Sequence, residues 1–99
     1  MATSSMQDLV RKHREEILRI AHHHGACDVR VFGSVARGDA GQDSDVDLLV
    51  KTSGATSAWF PASLIVDLED LLGRKVDVIT EGALHWFLRE RILAEAIPL

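Results

Sequence analysis

A single cysteine, Cys27, in 99 residues rules out an internal disulfide. A chain without that staple fits a reducing compartment, and Cys27 reads as a small buried residue rather than a nucleophile, since no activating partner can be named. No polybasic run accompanies the formal net charge of −4, so the electrostatic footprint of a dedicated nucleic-acid binder is missing. No apolar run approaches the roughly 20 residues of a membrane span, and no charged-then-apolar leader pattern opens the chain. The expectation is a soluble, cytoplasmic protein. Length is short too. A chain of this size buries only about 60–65% of its unfolded surface, which allows one domain over residues 1–99 and no second substrate-binding lobe. An acceptor or partner would then come from another chain.

What the sequence does have is apolar periodicity, with 46% hydrophobic residues. Ser4 or Ser5 can cap a helix, and Met6, Leu9, Val10, Ile17, Ile20 and Ala21 recur at helical spacing to about His24, where Gly25 stops it. His13 falls on this stripe, at the core edge. His22, His23 and His24 occupy the last turn, where a partial positive charge suits the helix dipole; consecutive helical residues point about 100° apart, so they make a poor metal site. Asp28–Phe32 alternates as a strand with one buried face, 33–38 is a turn with a helical turn in it, and 39–44 is a glycine- and aspartate-rich loop. Val46–Lys51 is a second strand and 52–60 a linker. Pro61 suits the first turn of a helix whose buried stripe is Leu64, Ile65, Leu68, Leu71 and Leu72, ended by Gly73. Val76–Thr80 is a third strand, and a last helix over 84–94 carries Leu84, Phe87, Leu88 and Ile92 inward. Trp59, Phe60, Trp86 and Phe87 read mostly as core; the alternative for Trp59 and for the Trp86–Phe87 pair is an exposed partner surface. Helix, strand, strand, helix, strand, helix predicts an α/β or α+β fold with one small sheet.

The chemistry concentrates in two stretches. Asp45 and Asp47 open the second strand and share a face, roughly 6.6 Å apart along the backbone. Two such charges repel by about 2–3 kcal/mol at an effective dielectric near 20, and a divalent cation is the simplest offset. Asp77 interrupts an otherwise apolar strand. If that strand lies beside the second, three carboxylates converge, a hard oxygen set suited to Mg²⁺ or Mn²⁺. The structural alternative makes Asp45 a turn residue and pairs Asp77 with Arg30, Arg74 or Lys75. A calcium loop starting at Asp43 is excluded, because its sixth and twelfth positions are Leu48 and Gly54 instead of glycine and glutamate. Ahead of the aspartates, Gly33 allows close backbone approach, Ser34 opens a short helix with donors for phosphate oxygens, and Gly38 permits a sharp exit. Neither the Walker pattern nor the dinucleotide fingerprint is present. Arg37 either grips a phosphate bidentately or braces the loop against Asp39 or Asp43.

Gly33-Ser34-Val35-Ala36-Arg37-Gly38, then Ser44-Asp45-Val46-Asp47-Leu48-Leu49-Val50, then Val76-Asp77-Val78, resembles the nucleotidyltransferase superfamily that includes DNA polymerase β. The likeness is greatest to the minimal nucleotidyltransferases and covers almost the whole chain. It implies the nucleotidyltransferase fold, a small mixed sheet of three to four strands flanked by helices. It also implies that Asp45 and Asp47 bind the metals holding a nucleoside triphosphate, that Asp77 helps activate an acceptor hydroxyl, and that Gly33 and Ser34 contact the phosphates. The reaction expected is attack of that hydroxyl on the α-phosphorus of the triphosphate, with ATP the preferred donor, releasing pyrophosphate. Minimal members are often paired with a helical HEPN-type protein, acting as antitoxins and in some cases transferring a nucleoside monophosphate to the partner. Two rival readings stand beside this one: an antitoxin that neutralises its partner by occlusion, and transfer to a small molecule such as an aminoglycoside, for which a homo-oligomer would have to supply the acceptor pocket.

Overall fold

The computed structural model describes residues 6–38, 45–52, 56 and 59–99. The expected cap at Ser4 or Ser5, the 39–44 loop with Asp39, Asp43 and Ser44, and most of the 52–60 linker lie outside the described residues. In chain order the elements are α1 (Met6–Lys12), α2 (Arg14–His23), β1 (Ala26–Phe32), α3 (Gly33–Arg37), β2 (Val46–Thr52), α4 (Ala62–Leu72), β3 (Val76–Thr80), a 3-10 turn (Glu81–Ala83), α5 (Trp86–Glu95) and β4 (Ile97–Pro98). The strands form one mixed sheet in the order β3-β2-β1-β4. β1 is antiparallel to both β2 and β4, whereas β2 and β3 are parallel and joined by the α4 crossover.

Alternation along β2 divides the sheet. Val46, Leu48 and Val50 are at most 1% exposed and share a cluster with Ile17 and Ala21 of α2 and with Leu64, Leu68 and Leu72 of α4. Each such side chain contributes about 1.5–3 kcal/mol on burial. The four-residue spacing of the α4 leucines puts them on one stripe, and Gly73, at φ +64°, ends the helix in the left-handed conformation. Phe32 and Leu49 are buried as well, but outside that cluster. They share the opposite face with Asp47, since Phe32 is its register partner and Leu49 lies two residues on.

Several expectations are corrected. The first helix is interrupted at His13 (φ −100°, ψ 15°), although the His13 N–H still donates to the Leu9 carbonyl at 3.2 Å and the Ile17 N–H to the His13 carbonyl at 2.9 Å. His13 is half-buried, as expected of the core edge. His24 does more than end a helix in solvent: its Nε2 lies 2.7 Å from Asp67 Oδ2 and its Nδ1 3.3 Å from Ser63 Oγ, tying α2 to α4. β1 carries a bulge, with Asp28 and Val29 opposite Val50 alone and Asp28 at φ +49°. That extra residue lets Ala26 and Val29, three apart, both face the core. Pro61 is the residue before α4, after a cis bond, and not within its first turn.

The largest departure is α5. Leu84 precedes the helix, Phe87 and Leu88 are 71% and 42% exposed, and no α5 residue is buried. Trp86, Phe87 and Leu88 are consecutive, so they fan around the axis in 100° steps and no single face can bury all of them. Trp86 and Trp59, 78% and 76% exposed, are surface and not core; Phe60 is half-buried. The sheet has four strands, within the expected three to four, and the fourth, β4, which no sequence pattern marked, joins through the pairs Arg30↔Pro98 and Val31↔Ile97. No helix among the described residues is long and apolar enough to cross a membrane.

Candidate active site

Asp47 and Asp77 are register partners across the parallel β2–β3 pair. Their side chains therefore leave the same face of the sheet, with backbones about 4.8 Å apart. Asp45 sits just before β2, two residues from Asp47, and both are half-buried, while Asp77 is exposed on the edge strand. The strand adjacency that three converging carboxylates require is thus present. The Asp47 carboxyl titrates above the usual range because burial disfavours its charge and because Asp77 and then Asp45 add repulsion; Arg37 opposes this and Glu95 reinforces it.

Gly33 follows β1 directly and opens α3 at φ +75°. A Cβ there would collide with Asp47 Oδ2 and lie 3.3 Å from its Cγ. Only glycine lets this turn lie against the carboxylate. Ser34 is half-buried in the same turn. At the other end of α3, Gly38 adopts φ +81°, and Gln7 Nε2 donates to the Val35 carbonyl at 2.8 Å, bracing the turn from α1.

Arg37 and the Gly33 N–H share a partner that sequence reasoning missed. Arg37 Nη1 donates to Glu95 Oε1 at 2.8 Å, and the Gly33 N–H donates to Glu95 Oε2 at 2.8 Å. Both oxygens of one carboxylate are engaged by the two groups expected to meet phosphate. The Glu95 carboxyl titrates below its usual range, chiefly through the Arg37 hydrogen bond; burial opposes this, and the Gly33 N–H and the charges of Arg37 and Arg91 assist. The expected bracing of Arg37 by Asp39 or Asp43 falls outside the described residues. Glu95 lies 62 residues from Gly33, beyond the reach of any local pattern.

As a donor set, Asp45, Asp47 and Asp77 offer hard carboxylate oxygens, and Asp77 and Asp45 both raise the proton affinity of a partly buried Asp47. That chemistry suits a small divalent cation. As the side chains stand, no three acidic, histidine or cysteine side chains among the described residues are gathered closely enough to hold an ion. The arrangement supplies an anionic centre between β2 and the edge strand β3, with cationic and N–H donors on the turn that follows β1.

Residues 10–99 match the nucleotidyltransferase domain family. The chain is 30% identical over 97 residues to protein adenylyltransferase MntA of Thermococcus cleftensis, spanning 98% of this chain and 95% of that protein. A Methanocaldococcus jannaschii protein provisionally named a protein adenylyltransferase is 36% identical over 86 residues, 87% of this chain and 92% of its own. Among solved structures, one provisionally described as a minimal nucleotidyltransferase superposes with a TM-score of 0.85 at 46% identity, covering 99% of this chain and 100% of that one. A toxin–antitoxin crystal structure with AMP-PNP shares the fold, with a TM-score of 0.73 at 17% identity over 85% of this chain and 69% of that one.

Proposed function

The chain belongs to the nucleotidyltransferase domain family, and on that premise we propose that it transfers AMP from ATP to a hydroxyl on a partner protein. The observation that carries this reading is the register pairing of Asp47 with Asp77, which, with Asp45 two residues before Asp47, gathers negative charge on one face. Asp45, Asp47 and Asp77 would hold Mg²⁺ or Mn²⁺ after side-chain rotation. Bound there, the cation would neutralise phosphate charge and stabilise the attacking and leaving oxygens.

The rest of the chemistry belongs to the side chains. Gly33, Ser34 and Arg37 bind phosphate oxygens and orient the triphosphate, Arg37 through its bidentate fork. Asp77, exposed on the edge strand, faces the side from which an acceptor can approach. It takes the proton of the acceptor hydroxyl or orients that hydroxyl. The acceptor oxygen forms its bond to the α-phosphorus as the bond from that phosphorus to the bridging oxygen breaks, and pyrophosphate leaves with the electron pair. The name of the Thermococcus relative supports AMP as the group and protein as the acceptor. The toxin–antitoxin structure that shares the fold accords with a protein partner, and the resemblance to minimal nucleotidyltransferases suggests that this partner is a helical HEPN-type protein.

Incubation with labelled ATP, Mg²⁺ and the product of the neighbouring gene tests this directly. Wild type labels the partner and Asp45→Asn does not; equal labelling refutes the catalytic reading. One observation favours the occlusion rival, namely the exposed Trp86–Phe87–Leu88 patch on α5. Neutralisation that persists in an Asp45→Asn/Asp47→Asn double variant would select it.

A further inference from the structure

We propose that Glu95 is a displaceable stand-in for phosphate, a positioning residue that holds the Gly33 N–H and Arg37 in place until the triphosphate takes them over. The inference rests on the phosphate role given above to Gly33 and Arg37 and adds a competitor for it. Three observations carry it. Each oxygen of the Glu95 carboxylate accepts a 2.8 Å hydrogen bond, one from a backbone N–H and one from a guanidinium. This is the two-oxygen contact that an arginine and a turn amide make with a phosphoryl group. The Glu95 side chain is largely shielded, 19% exposed, and the Gly33 N–H has a single proton to donate, so a phosphate oxygen cannot take that amide without moving the carboxylate. Glu95 is the last residue of a helix with no buried residue, and an element that buries so little is cheap to shift.

Competition has a measurable consequence. If the donors are engaged by Glu95 in most molecules, the apparent affinity for triphosphate is reduced by the fraction in which they are open. Glu95→Gln keeps the shape of the side chain but removes the charge that holds Arg37, so it raises the open fraction. Nucleotide should then bind more tightly, by about tenfold for a latch closed in nine molecules of ten. Glu90, exposed on the same helix, serves as the control for loss of a negative charge from α5. Glu90→Gln should change affinity by less than about twofold.

The experiment is calorimetric titration of the full chain with AMP-PNP and Mg²⁺, run alongside amide NMR of Gly33. Before ligand is added, Glu95→Gln and Glu95→Ala should shift the Gly33 amide and speed its hydrogen exchange, with the rest of the spectrum retained. An unchanged Gly33 amide overturns the proposal. On titration, support requires that nucleotide shift Gly33 in the wild type and bind more tightly to Glu95→Gln but not to Glu90→Gln. If nucleotide shifts Gly33 but Glu95→Gln binds it equally or more weakly, the latch fails and the phosphate site stands. If nucleotide leaves Gly33 unmoved in every variant, the phosphate reading itself fails and takes the latch with it.

Discussion

Asp47→Asn should stabilise the protein while abolishing its activity. Asp47 faces Asp77 across one parallel strand pair; carboxylates roughly 6 Å apart repel by about 3 kcal/mol at an effective dielectric near 20. Asp77 is exposed, and solvent screening reduces the usable figure to about 1 kcal/mol. The proton affinity of Asp47 is raised in the folded state, first by burial and then by its two acidic neighbours. A carboxyl with a raised folded pKa is best tolerated below its unfolded pKa, and the fold loses stability as pH rises through the folded value. At neutral pH the Asp47 charge therefore costs stability, and asparagine, of the same size, removes the cost. For a domain of this length about 1 kcal/mol corresponds to a Tm gain of about 4–8 °C. Melting curves followed by circular dichroism in chelator should show that gain at neutral pH and lose it in acid. Saturating Mg²⁺ should reverse the order, since binding at one hundred times Kd adds about 2.7 kcal/mol to the wild type and little to the variant. A variant that melts at or below the wild type in chelator would refute the charge-cluster argument.

Gly33→Ala must place a Cβ at positive φ against Asp47; it should cost about 1–3 kcal/mol, read as a lower Tm, and abolish partner labelling. Glu95→Ala should lower the Tm at neutral pH, because a carboxyl with a depressed folded pKa contributes stability above its unfolded pKa and loses it as pH falls through the folded value. The gap between its melting curve and that of the wild type should close in acid. Leu48→Ala, at a fully buried site in the middle of β2, should destabilise by about 2–5 kcal/mol in a denaturant titration. Trp86→Ala should leave stability within about 0.5 kcal/mol because that ring is 78% exposed; a large loss would mean that α5 packs more deeply than its exposure implies.

Why the shared sheet face of Asp47 and Asp77 could be expected from sequence while the Glu95 contact could not is a matter of range. Alternation along Val46–Lys51 assigns faces within one strand, and the α4 leucines with Gly73 declare a crossover helix without reference to anything else. With β2 and β3 as parallel neighbours, the register that buries Val46 beside Val76 and Leu48 beside Val78 also sets Asp77 opposite Asp47. The Asp28 bulge, the β1–β4 pairing and the Glu95 contact each depend on segments that meet only after the sheet has formed. No local periodicity encodes them. Helix α5 shows the limit most clearly. Leu84, Phe87, Leu88 and Ile92 satisfy helical spacing, yet spacing only says which residues could share a face; burial of that face depends on whether a partner surface exists. Here no α5 residue is fully buried, Ile92 being half-buried, and the helix is tethered by Arg89 Nη2, in its first half, to Glu81 Oε1 at 3.2 Å and by Glu95, its last residue, to Arg37 and Gly33. A helix held chiefly by polar contacts, with no fully buried residue, can change position without dismantling the core. That physical property makes the packing of α5 hard to read from sequence and makes α5 the element best placed to respond to an anion at Gly33.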